Sequence, residues 1–175
     1  MNRLLLIAAT CLLILPVTTL SQTRNRSTSK QKPAATSTTT AQAAEIRMAG
    51  GTKVAEQIKV LTRFIYVLGG VARGIEQIDE AARKNEASPT ALQQNEQNKT
   101  TVKTSLRNVR EGLDALEIYF RATPGLQSYY LKLAGSASGA ADAEAQAAGG
   151  RFDQSGRALL GVVNRLTDVL LIMQR

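Results

Sequence analysis

The chain has no histidine, no tryptophan and one cysteine, Cys11, which sits in an apolar stretch near the N-terminus. Each absence removes a class of chemistry. Without histidine there is no Ser–His–Asp or Cys–His nucleophile. Zinc, haem and copper sites lose their commonest ligands, so neither a metal nor a cofactor is implied. One cysteine cannot form a disulfide within the chain. Aromatic residues make up only 4% of the sequence. That is too few for a nucleic-acid stacking platform, and no nucleic-acid motif is visible. Strand-like alternation is missing too.

What is present begins with MNRLLLIAATCLLILPVTTLSQ. Arg3 supplies positive charge, Leu4 to Leu15 form an apolar run, and Pro16 breaks it. Thr19 and Ser21 suit the small-residue positions of a signal-peptidase site, with cleavage after Ser21. A second reading stays open: Leu4 to Thr23 carries no charge and, at about 20 residues, nearly spans a bilayer as an uncleaved anchor. The sequence therefore predicts export, to a periplasm or the outside, with residues 1–21 as signal peptide. Arg24, Arg26, Lys30 and Lys32 sit awkwardly close behind it.

Residues 22–43 are rich in Ser, Thr, Gln and Ala and hold no large apolar side chain. They are predicted to be a disordered basic tether. The net charge is +8, but from Glu45 onward there are 17 basic and 14 acidic residues. Much of the excess thus lies ahead of the domain, where it suits a solubilising spacer or weak contact with an anionic membrane or cell wall.

Residues 44–175 carry apolar residues at steps of three and four. Val54, Ile58, Leu61, Ile65, Leu68, Ala72 and Ile75 form one stripe. Val102, Leu106, Val109, Leu113, Leu116 and Phe120 form a second, and Phe152, Leu159, Val163, Leu166, Leu170 and Met173 a third. Ser88-Pro89 and Thr123-Pro124 read as helix starts, Gly149-Gly150 as a stop, and Asp153 as a cap. Helices are predicted at 44–85, 89–121, 124–148 and 153–174. The short connections favour antiparallel neighbours, hence an all-α, up-down-up-down four-helix bundle. Leu92 to Thr101 has almost no apolar face and reads as a loop or a helix end projecting past the bundle. The glycines Gly69, Gly70 and Gly74 and the Ala-rich stretch after Gly135 read as places where helices pack closely.

The architecture resembles the exported haem-binding four-helix-bundle cytochromes in its short loops and Ala-rich helix. It lacks their Cys-x-x-Cys-His attachment and any axial histidine, so the resemblance implies a bundle and no haem activity. The turn Gly150-Arg151-Phe152-Asp153 is similar to that of a tetratricopeptide repeat, without recurrence.

Carboxylates line two helix faces, Glu76, Asp79 and Glu80 on one and Glu111, Asp114 and Glu117 on the other. Arg83, Lys84, Arg107 and Arg110 lie among them, which is the pattern of a solvated face. Ser-x-x-Lys at Ser27 and Ser29 lies in the tether without supporting motifs. The one concentration that points to a site is aromatic. Tyr119, Arg121, Tyr129 and Tyr130 fall around one inter-helix turn, as a plug for the core or as a pocket at the bundle mouth. The predicted function is therefore non-catalytic: a protein-binding or scaffolding module. The alternative is a carrier holding a small apolar ligand in the bundle core.

Overall fold

The computed structural model describes residues 35–175. The predicted signal peptide and the tether up to residue 34 lie outside the described residues. Five helices follow: α1 (Ala35–Arg83), α2 (Pro89–Ala122), α3 (Gln127–Leu133), α4 (Ser136–Ala148) and α5 (Phe152–Met173). No strand occurs among the described residues. The fold is all-helical and bundle-like. Helix α1 packs on α2 and α5, and α4 packs on the same two, so four helices enclose one core; α3 adds smaller contacts with α2 and α5.

The core is the predicted stripes meeting. Val54, Leu61, Leu68 and Ile75 come from α1, Leu106, Leu113 and Phe120 from α2, and Leu159, Leu166, Val169 and Met173 from α5. In α5 the buried line runs through Val162 and Val169, with the predicted Val163 and Leu170 half-buried beside it. The seam is therefore rotated slightly from the sequence stripe. Helix α4 contributes Ala137, Ala140, Ala143 and Ala147, all buried. Alanine buries little surface but lets backbones approach. At Gly139 the approach is close enough that a Cβ would lie 2.7 Å from Val162 Cγ2.

Helix ends follow local chemistry, with three departures from expectation. Ser88 caps α2 as predicted: its Oγ accepts from the Ala91 N–H at 3.2 Å, with Pro89 at the first helical position. Ser88→Ala is expected to lower stability by about 1 kcal/mol, read by chemical denaturation. Helix α1 is closed just past Arg83 by Asn85, which takes φ +59°. There the Glu86 N–H bonds to Ala81 O and the Asn85 N–H to Ala82 O, a Schellman arrangement that asparagine tolerates. Gly150, at φ +76°, closes α4 in the same way.

The first departure is at the other end of α1. It starts at Ala35, inside the stretch whose composition predicted a tether. Ala, Thr and Gln allow helix once it grows outward from a packed segment. The second is the third predicted helix, which is two. Thr123-Pro124 ends α2 instead of starting a helix, and Gly135 at φ +89° separates α3 from α4. The Ala134 carbonyl exposed by that break accepts from Arg165 Nη1 of α5 at 3.0 Å. The third is Asp153, which does not cap α5. It sits in the first turn and pairs with Arg157 at 2.7 Å.

Residues 92–101 are helical, within α2. Asn95 is buried there and donates to Asp79 of α1 at 2.7 Å, and Lys99 binds the same oxygen at 2.8 Å. Polar residues continue the inward stripe where apolar ones stop.

Gly69, Gly70 and Gly74 also depart from expectation. They are exposed on α1, and a Cβ at any of them would meet nothing within 4 Å. They do not serve close packing inside the bundle. Each costs about 1 kcal/mol relative to alanine in an exposed helix, and nothing within the described residues uses the bare backbone.

Candidate functional site

Two helix ends and the turn between them gather the aromatic side chains. Tyr119 and Phe120 are adjacent near the end of α2, with ring centroids 5.9 Å apart and planes at 73°, an edge-to-face pair. Phe120 is fully buried, whereas Tyr119 is half-buried. Lys53 of α1 reaches across so that its ammonium lies 4.9 Å from the Tyr119 ring centre. That distance permits a cation–π contact. The next turn brings Leu126 into the core beside Gly50, so closely that a Cβ on Gly50 would lie 3.0 Å from Leu126 Cδ1 and Met173 Cε.

Tyr129 and Tyr130, on α3, are half-buried and pack against the same core. Arg121 is exposed. Of the predicted residues, then, the three tyrosines lean on the core and Arg121 faces solvent.

A concave apolar surface lies elsewhere, and sequence reasoning missed it. A groove of about 340 Å³ runs between α1 and α2, lined by Phe64, Val67, Leu68, Val71 and Val102, with Arg63, Asn98 and Thr101 at its rim. Phe64 and Val71 are half-buried and Val67 is 58% exposed. The signal was available. Val60, Phe64, Val67 and Val71 recur at steps of four, three and four, a second stripe beside the core one. Across from it α2 presents Thr101 and Ser105, too short to cover it. A more polar recess lies between α1 and α5, with Gly69, Arg73, Glu76, Asp153 and Arg157 among its walls.

Part of the charged clusters forms ion pairs. Arg110 binds Glu144 of α4 at 3.0 Å and Asp114 at 3.6 Å, with Arg107 3.5 Å from Glu144. Glu117 accepts the Ala137 N–H at 2.9 Å, closing the α4 N-terminus from a neighbouring helix, where a negative charge is favoured. Among the described residues no group of three or more His, Cys, Asp or Glu side chains is placed to hold a metal ion. Two buried polar atoms, Asn95 Oδ1 and Ser155 Oγ, have no partner among the described residues.

Lys99 is the titrating group with the clearest environment. Its hydrogen bond to Asp79, and a second to Glu96, hold its pKa above the ordinary 10.5, against a smaller opposing effect of burial. The folded state therefore favours the charged ammonium. The stability it supplies is fully present below the unfolded pKa and is lost as pH rises through the raised folded value. Lys99→Met is expected to melt below the wild type at neutral pH. The gap should close as pH climbs past 10.5, and melting curves across that range test it.

The chain matches no family model, no curated protein and no solved structure. Function has to be read from these surfaces.

Proposed function

We propose that this chain is an exported, non-catalytic helical-bundle protein that works by binding another protein or by scaffolding in the cell envelope. The observation that carries the reading is where apolar surface is left over. The buried apolar side chains form one core cluster, while Phe64, Val67 and Val71 form an open apolar groove on the outside. Such grooves take a helix face or an extended segment from a partner. Three of the ion pairs, Lys99 with Asp79 and Arg107 and Arg110 with Glu144, bind one helix to another.

The arrangement we propose is an up-down-up-down antiparallel bundle with α3 as an elbow, preceded by a signal peptide at 1–21. The order of contacts supports opposed neighbours. Lys53 meets Tyr119 whereas Asp79 meets Asn95, and Gly50 adjoins Met173 whereas Leu68 adjoins Gly156. No helix among the described residues is long and apolar enough to cross a membrane. Attachment, if retained, falls to the N-terminal apolar run.

The test is native mass spectrometry on the chain tagged at Arg175 and purified gently from its own host. A stoichiometric protein complex or a defined oligomer supports the reading. A bound small apolar molecule without a protein partner would replace it by the carrier reading, with the ligand in the bundle core. The intact mass shows whether residues 1–21 have been removed.

A further inference from the structure

The face of α1 turned away from the core has an order that its role in the bundle does not need. The core stripe runs through Val54, Leu61, Leu68 and Ile75. Steps of three and four on the opposite side pass through Glu56, Lys59, Arg63, Tyr66, Gly70, Arg73, Gln77 and Glu80, all exposed. Tyr66 is 86% exposed, the most of any large apolar or aromatic side chain among the described residues. It stands beside Gly69 and Gly70, where the helix backbone is bare. Two concavities flank this strip, one toward α2 and one toward α5.

The charges along the strip and its edge toward α5 are self-complementary in one sense only. Lys59 and Arg63 lie on one side of the glycines, Glu76 and Glu80 on the other. Lay a second α1 antiparallel, with Gly69 opposite Gly70 of the second copy. Lys59 then faces Glu80 along the strip, and at its edge toward α5 Glu76 and Arg83 come level with Arg63 and Glu56 of the other copy. Tyr66 faces Arg73, a cation over a ring. No like charges oppose each other in this register. A parallel, in-register pair would set each charge against itself. Lys59, Arg63, Arg73 and Glu76 have no ion-pair partner among the described residues; Glu80 has one, to the exposed Lys84 at 2.8 Å. Bare backbone at the crossing lets two helices come close, which side chains there would prevent. Two-fold symmetry uses every contact twice.

We propose that the outer face of α1 is a self-association surface: α1 of one copy pairs antiparallel with α1 of a second, crossing at Gly69 and Gly70, with Lys59 and Arg63 facing Glu76 and Glu80. The proposal rests on the protein-binding reading and names the partner. Its attraction is largely between exposed charges, so the dimer weakens as salt is raised.

Sedimentation velocity on the full chain tests it, with two charge-reversed variants, K59E/R63E and E76K/E80K. Wild type is expected to dimerise at low ionic strength. Each variant alone should lose at least about tenfold in affinity, because like charges then oppose one another. An equimolar mixture should recover the dimer, since reversed acidic and basic sites face each other across the pair. That recovery also shows both variants folded. Gly70→Leu provides an independent arm: it should raise the melting temperature by restoring helix propensity, yet abolish the dimer. A monomeric wild type, a dimer indifferent to both reversals, or reversed variants that stay apart on mixing overturns the proposal. If one of those results comes with a different protein still bound in native mass spectra, the protein-binding reading stands and its surface is elsewhere.

Discussion

Phe120→Ala is expected to destabilise the fold by about 3–5 kcal/mol, the usual range for emptying a buried aromatic site. Phe120 has no exposed surface and lies where α2 ends, edge-on to Tyr119 and within the cluster that Leu126 and Met173 complete. The backbone there is constrained on both sides. Thr123 N–H bonds back to Tyr119 O, and Leu126 N–H to Thr123 O. The end therefore has little freedom to collapse into the vacancy. Chemical denaturation would read the loss. Arg121→Ala is the control: this exposed side chain makes no ion pair among the described residues, so its removal should shift stability by less than about 0.5 kcal/mol. If instead Arg121→Ala costs as much as Phe120→Ala, the aromatic end is held by an interaction beyond core packing. A loss below about 1 kcal/mol for Phe120→Ala would mean the end is loosely packed, and a pocket at the bundle mouth would regain standing.

This contrast also shows what the sequence reveals about the site. Clustering of Tyr119, Phe120, Tyr129 and Tyr130 is legible from spacing, because two helices joined by a short turn must bring their ends together. Whether rings close a core or line a cavity depends on how far α3 leans inward. That lean is set by Gly135 and by Leu126 and Leu133, both fully buried. Gly135 does not stand out in a run such as LAGSASGAADA. The split of the predicted third helix escaped notice for the same reason. Several small residues in a row offer several places to break, and only one takes positive φ.

The long stripes were legible because leucine, valine and isoleucine at helical spacing have one stable arrangement in water, facing inward together. Residues 92–101 hid theirs because its inward members are Asn95 and Lys99, which reach α1 through Asp79. A polar stripe at the same spacing as an apolar one is a helix signal whenever a complementary group waits on the neighbour. The glycines of α1 mislead in a different way. Small size permits contact, but position decides with what. Gly70 and Gly74 fall off the line through Leu68, Ala72 and Ile75, so helical geometry alone assigns them to the outer face.

Ala140→Leu is expected to destabilise the fold by about 1–3 kcal/mol, the cost of forcing extra methylenes into a filled core. Ala140 has no exposed surface. It follows Gly139, whose position is already so near Val162 that a methyl would collide. Helix α4 meets both α2 and α5 through this Ala and Gly surface, so a leucine there has to push two neighbours outward. The displacement would strain the bonds from Arg110 to Glu144 and from Ala137 to Glu117, which hold α4 along its length. A carrier with room in its core predicts the opposite sign. Leucine would then fill the vacancy, raise the melting temperature and exclude the ligand. Thermal denaturation therefore separates the two readings without the ligand being known. A lower melting temperature leaves the outside of the bundle, with its open α1–α2 groove and bare α1 face, as the place where this protein meets what it binds. A higher one moves the search inward, between α2, α4 and α5.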